Sequence, residues 1–142
     1  MPRLTVLMGA PGSGKSTYAK TLGNVVTTDG VRERGQAPAD ALHGAYSQIN
    51  KMLAAGKNVV FDTTGANPAV RKAAVTIARK HGAEVSAILI DAPVNACVQA
   101  QQGRAHPVAA ADVRRIHADV QRQAGGLRSE GFQSVNVVRS RK

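Results

Sequence analysis

The chain is poor in aromatic side chains: they make up 3% of its 142 residues, and tryptophan is absent. That argues against a base-stacking platform of the kind that grips single-stranded nucleic acid. Cysteine is as scarce. Cys97 stands alone, so no internal disulfide can form, and the composition suits a reducing, cytoplasmic setting. Cys97 lies in an apolar helical pattern and reads as a packed residue, not a reactive one. No apolar run reaches the length of a membrane span, and the one nearest the N-terminus, Leu4 to Met8, is too short for a signal peptide. Acidic residues are few, 9 Asp and Glu against 19 Lys and Arg, which leaves a net charge of +10. An excess of that sign favours polyanionic partners such as nucleic acid or nucleotides. The charges are dispersed, with no long run of one sign, so a basic surface is expected and not a disordered basic tail.

What the chain does have is concentrated near its start. Gly9-Ala10-Pro11-Gly12-Ser13-Gly14-Lys15-Ser16-Thr17 fits the phosphate-binding loop pattern of Gly, four residues, then Gly-Lys-Ser/Thr. The apolar run before it and a helix-compatible segment after it, Ser16 to Leu22, supply the strand–loop–helix context that such a loop requires. Glycines let the backbone approach an anion closely, and the loop N–H groups with the helix N-terminus form an anion nest. Gly12, Ser13, Gly14, Lys15, Ser16 and Thr17 are the expected nucleotide-binding residues. Lys15 would reach the β- and γ-phosphates of ATP, and the Ser16 hydroxyl would ligate Mg²⁺.

The rest of the chain alternates between short apolar runs and amphipathic segments. Strands are expected at Leu4–Met8, Asn24–Thr28, Val59–Phe61, Val85–Ile90 and Ser134–Val138. Pro38 can open a helix whose inner face is Ala41, Leu42, Ala45, Ile49, Met52 and Leu53, with Gly56 as its stop. Asn67-Pro68 is an N-cap followed by a helix-starting proline, with Val70, Ala74, Ile77 and Ala78 facing inward. Pro93 opens a helix that carries Cys97, and Val113, Ile116 and Val120 mark another, which Gly125-Gly126 should end. Residues 99–112, which contain Gly103, Arg104 and His106, break the pattern and read as a lid-like segment. Strands separated by helices imply a single α/β domain over residues 1–142: three layers, with a parallel sheet of about five strands and helices on both faces. Ligands in such folds bind at the carboxyl ends of the strands, where Asp29, Asp62 and Asp91 should gather beside the loop.

Asp29, past the second strand, can take a proton from an attacking hydroxyl, hold Mg²⁺ through water, or cap a turn with Gly30. Arg32 lies a helical turn on, and a carboxylate with a guanidinium suits an acceptor bearing both a hydroxyl and a phosphate. Asp62 reads as a loop anchor, a metal-water contact or, preferred here, an orienter of Arg32. Arg104 can stabilise charge on a transferring phosphoryl group or be a solvated loop arginine. His106 and His117 lack partner spacing and read as surface residues.

Taken together, the loop, Asp29 with Arg32, Phe61-Asp62-Thr63-Thr64 followed by Asn67-Pro68 and Arg71, Asp91-Ala92-Pro93, and Arg104 ahead of Asp112-Val113 resemble the phage-type 5′-polynucleotide kinase domain, a P-loop kinase. The resemblance implies ATP-dependent phosphorylation of a DNA or RNA 5′-hydroxyl with Mg²⁺. It makes Asp29 the general base, Arg32 the contact to the acceptor's phosphate and Arg104 the lid arginine, with Lys15 on the donor phosphates and Asp62 and Arg71 on the acceptor side. Ala100-Gln101 stand where that family often has an Arg-Asn pair. P-loop kinases of small metabolites, nucleosides or sugar nucleotides share the Asp-x-x-Arg arrangement, and an ATP-gated nucleic-acid-binding module without turnover would share the loop.

Overall fold

A computed structural model of the chain describes residues 2–27, 38–105 and 107–139. Its centre is a five-stranded sheet in the order β2-β3-β1-β4-β5. The strands are β1 (Arg3–Met8), β2 (Val25–Thr27), β3 (Val59–Asp62), β4 (Glu84–Asp91) and β5 (Ser134–Arg139), and every pairing between them is parallel. The helices are α1 (Lys15–Lys20), α2 (Pro38–Ala54), α3 (Pro68–Lys80), α4 (Val94–Gln101) and α5 (Ala110–Gln123). The expected fold class is the one observed: an α/β sheet with helices on both faces. Among the described residues, no helix is long and apolar enough to cross a membrane.

The central runs, β1 and β3, become strands because both sides of each are buried, whereas the edge strand β5 is largely exposed. In β1, Leu4, Val6 and Met8 point into one layer and Leu7 into the other. The first layer is the main core. Phe61, Val85, Ala87 and Leu89 meet Ala45, Ile49 and Leu53 of α2, Ala74, Val75 and Ala78 of α3, and Val120 of α5 there. The second is small: Leu7, Val60 and Ile90 under Ala19 of α1. Helix starts follow the local chemistry. Asn67 accepts a hydrogen bond from the Ala69 N–H through its side chain at 2.9 Å, and Pro68 follows with no N–H to satisfy.

α5 ends at Gln123 with Ala124 as its C-cap, just before Gly125-Gly126, as expected. Short 3-10 turns at Ala124–Gly126 and Arg128–Glu130 follow, and they carry Leu127 into the main core together with Phe132. The same segment delivers Glu130 to Arg71. The Arg71 guanidinium, 2% exposed, makes a two-pronged contact with the Glu130 carboxylate at 2.7 and 2.9 Å and also donates to the Gly65 carbonyl. Arg71 therefore braces α3, the loop after β3 and the C-terminal segment against one another from a buried position, a supporting place behind the expected acceptor side.

Removing one partner of a buried pair leaves an uncompensated charge. Glu130→Ala should lower unfolding free energy by about 3 kcal/mol in urea titration. Glu84→Ala breaks only the exposed Arg3–Glu84 pair and should cost less than about 1 kcal/mol.

Candidate active site

Strand register builds the site. Leu7 of β1 pairs with Asp62 of β3, so the last residue of β3 emerges beside the start of the phosphate-binding loop. The loop after β3 is strapped down on both sides, with Thr63 N–H donating to the Leu7 carbonyl and Gly9 N–H to the Thr64 carbonyl, each at 3.1 Å. Gly12 and Gly14 hold φ of +83° and +89°, backbone that other residues rarely adopt. Gly12 also has no room for a side chain: a Cβ would lie 2.4 Å from the Cys97 carbonyl oxygen and 3.2 Å from the Ala100 methyl. The last turns of α4 thus rest directly on the loop, and a large residue at position 100 would push them apart. Gly14 precedes α1 without a capping side chain, so no side chain of its own occupies the first helical N–H groups.

Lys15 and Ser16 both converge on Asp62. Lys15 Nζ lies 3.4 Å from Asp62 Oδ1, and Ser16 Oγ donates to Asp62 Oδ2 at 2.8 Å. Asp62 is 2% exposed and Lys15 6%, so this is a buried ion pair. Such a pair holds only while each charge keeps its partner or gains a better one. Asp62 Oδ1 has no hydrogen bond, and the buried Ser13 Oγ has none either. These are hard oxygen donors with spare acceptor capacity, and the Ser16–Asp62 set fits Mg²⁺. Asp62 is accordingly a partner of the phosphate loop; its expected role as an orienter of Arg32 involves a residue outside the described ones. Asp29 and Arg32 lie outside the described residues, as does His106.

Arg104 is exposed in the turn after α4, with its backbone N–H held by the Gln101 carbonyl. His117 is not a plain surface residue: half-buried, its Nε2 lies 2.8 Å from the Ala92 carbonyl oxygen. Asp91 reaches the rim as expected but accepts a hydrogen bond from Gln121 of α5 at 2.9 Å. Cys97 is fully buried, and burial, with the Asp91 charge adding to it, pushes its thiol pKa up, so it is inert. Sequence reasoning missed the pocket beside the loop. About 320 Å³ in volume, it is lined by Ser13 and Gly14 of the loop, Thr17 and Tyr18 of α1, Ile90 of β4 and Val138 of β5. Its walls come from α1, β4 and β5, elements that only the folded sheet brings together.

The family model AAA_33, an AAA domain, matches residues 4–125. No curated protein matches the sequence. Among solved structures, a gluconokinase from Sinorhizobium meliloti 1021 aligns with a TM-score of 0.66 and 15% identity over 99% of this chain and 84% of its own. A chain of the AvrRxo1-ORF1:AvrRxo1-ORF2 complex with ATP aligns at 0.69 and 17% over 91% of this chain and 50% of its own. A chain of the Pnkp1/Rnl/Hen1 complex aligns at 0.59 and 24% over 76% of this chain and 42% of its own. At these identities the likeness is one of fold.

Lys15→Met should abolish saturable ATP binding in a fluorescent-analogue titration. It should also cost about 3–5 kcal/mol of stability, because Asp62 stays buried without its cation. Adding Asp62→Asn should return most of the stability and none of the binding.

Proposed function

Because the chain belongs to the AAA domain family, whose model spans its phosphate loop, four of the five strands and the helices through α5, we propose that it is an ATP-dependent kinase whose acceptor is the 5′-hydroxyl of a nucleic acid. The observation that carries the transfer chemistry is the convergence of Lys15 and Ser16 on Asp62 at the carboxyl end of the central strands. Phosphates entering the loop give Lys15 a new anionic partner in place of Asp62. Ser16 and Asp62 would hold Mg²⁺ through their oxygens, and the ion would supply neutralisation of phosphate charge. The base and ribose of the donor fit the pocket between Tyr18, Ile90 and Val138, next to Thr17.

The reaction then needs a base and a charge clamp. Asp29 takes the proton of the attacking 5′-hydroxyl, the oxygen bonds to the γ-phosphorus, and the bond to the bridging oxygen of ADP breaks. Lys15 and Arg104 offset the charge that develops on the transferring group. Arg32 grips the phosphate next to the 5′ end. The net charge of +10 supports a long anionic acceptor over a neutral one. A second reading, a kinase of a small hydroxylated metabolite, draws support from the gluconokinase neighbour, which aligns with nearly the whole chain.

Transfer of label from γ-labelled ATP to a panel of 5′-hydroxyl DNA, 5′-hydroxyl RNA, nucleosides, nucleoside 3′-phosphates and sugars separates the readings. Oligonucleotides and nucleoside 3′-phosphates should be labelled well and nucleosides poorly. Arg32→Ala should erase most of that difference, since a charged hydrogen bond contributes about 1.5–3 kcal/mol. Label on sugars or free nucleosides alone would select the metabolite reading. Arg104→Ala should lower kcat by about 10³-fold or more with little change in ATP affinity.

A further inference from the structure

Gln101, the last residue of α4, is 2% exposed although glutamine is ordinarily a surface residue. Its backbone carbonyl accepts the Arg104 N–H at 3.1 Å, and its side-chain Oε1 accepts the Val108 N–H at 3.0 Å. One residue therefore holds the loop between α4 and α5 at two points, and Arg104 is itself the first of them. The floor beneath is firm. Val108 packs against Ala10 of the phosphate loop, Ala92, Cys97 and Val113, while Ala100 and the Cys97 carbonyl lie against Gly12. The other half of the Gln101 amide, Nε2, is buried without a hydrogen-bond partner. A buried donor left unpaired is costly, and an apolar side chain of this size would fill the site without that cost. Core packing does not account for glutamine here, whereas the tie to Val108 does.

We propose that Gln101 is a positioning residue: by tying Val108 back to the end of α4, it holds the Arg104 loop against the phosphate-binding loop, so that Arg104 meets the donor phosphates in one orientation. This rests on the kinase reading for its effect on catalysis, but the tie itself does not. Gln101→Leu removes the acceptor and the unpaired donor together while keeping the volume. Loss of one hydrogen bond should raise the open population of the loop by about two- to twelvefold.

Limited trypsin digestion reads that directly, because cleavage after Arg104 follows the open population when reclosing is fast. In Gln101→Leu the cleavage rate at Arg104 should rise about two- to twelvefold while the melting temperature stays close to that of the wild type. In phosphoryl transfer, kcat should fall and the ATP KM should change little. Arg104→Ala should cost much less in the Gln101→Leu background than in the wild type, because both act through one group. Unchanged cleavage at Arg104 with an unchanged fold would overturn the proposal, as would an Arg104→Ala penalty undiminished in the double variant. A wild-type protein that binds ATP but labels no acceptor would sink the kinase reading alone, and the cleavage rates would then decide the role of Gln101.

Discussion

A single buried carboxylate organises this molecule. Asp62 ends the strand beside β1, where water cannot reach it, and an isolated charge there would be prohibitive. It stands because Lys15 and Ser16 arrive from α1, which follows β1 and lies far earlier in the chain. That meeting depends on the parallel pairing of β1 with β3 in one register, on the tight turn through Gly12 and Gly14, and on the strap between Gly9 and Thr64. A slip of one residue in that register would turn Asp62 to the opposite face of the sheet and leave Lys15 without its partner. The electrostatics and the strand register thus enforce each other.

The two layers around the sheet are unequal. On one side, α2, α3 and α5 cover a continuous core that runs the width of the sheet. On the other, among the described residues, the short α1 covers Leu7, Val60 and Ile90, and the neighbouring surface of β4 and β5 is only half-buried. The pocket beside the phosphate loop lies at that boundary. The thin layer accounts for a concave apolar wall where a compact three-layer packing would have filled the space. Stability comes from the thick side and ligand access from the thin one.

Much of this was legible in the residues. Short β-branched runs ending at Gly or Asp specify parallel strands, since both faces of each must be apolar, and β1, β3 and β4 lie within a residue or so of the expected bounds. The phosphate loop was readable because its glycines answer to a backbone conformation that few other residues tolerate. The inner faces of α2 and α3 followed from helical periodicity. What was not legible shares a cause: the partners are far away in sequence. Nothing near Arg71 announces Glu130, nothing near His117 announces the Ala92 carbonyl, and the 3-10 turns around Leu127 are too short to have a period. Polar side chains are reused in many roles, and only tertiary contacts choose among them.

The strand order also has a temporal meaning. β1 lies at the middle of the sheet, yet its neighbours come from residues 59–62 and 84–91. During synthesis the first strand and its loop therefore emerge long before anything can pair with them, and the closure of that gap is a non-local step of the kind that slows folding. Of the elements that build this site, the phosphate loop is made first and is among the last to be finished. It acquires its buried carboxylate only with β3, and the support of α4 beneath Gly12 only after β4 is in place. A nascent chain would carry the complete nucleotide-binding sequence well before it could retain a nucleotide.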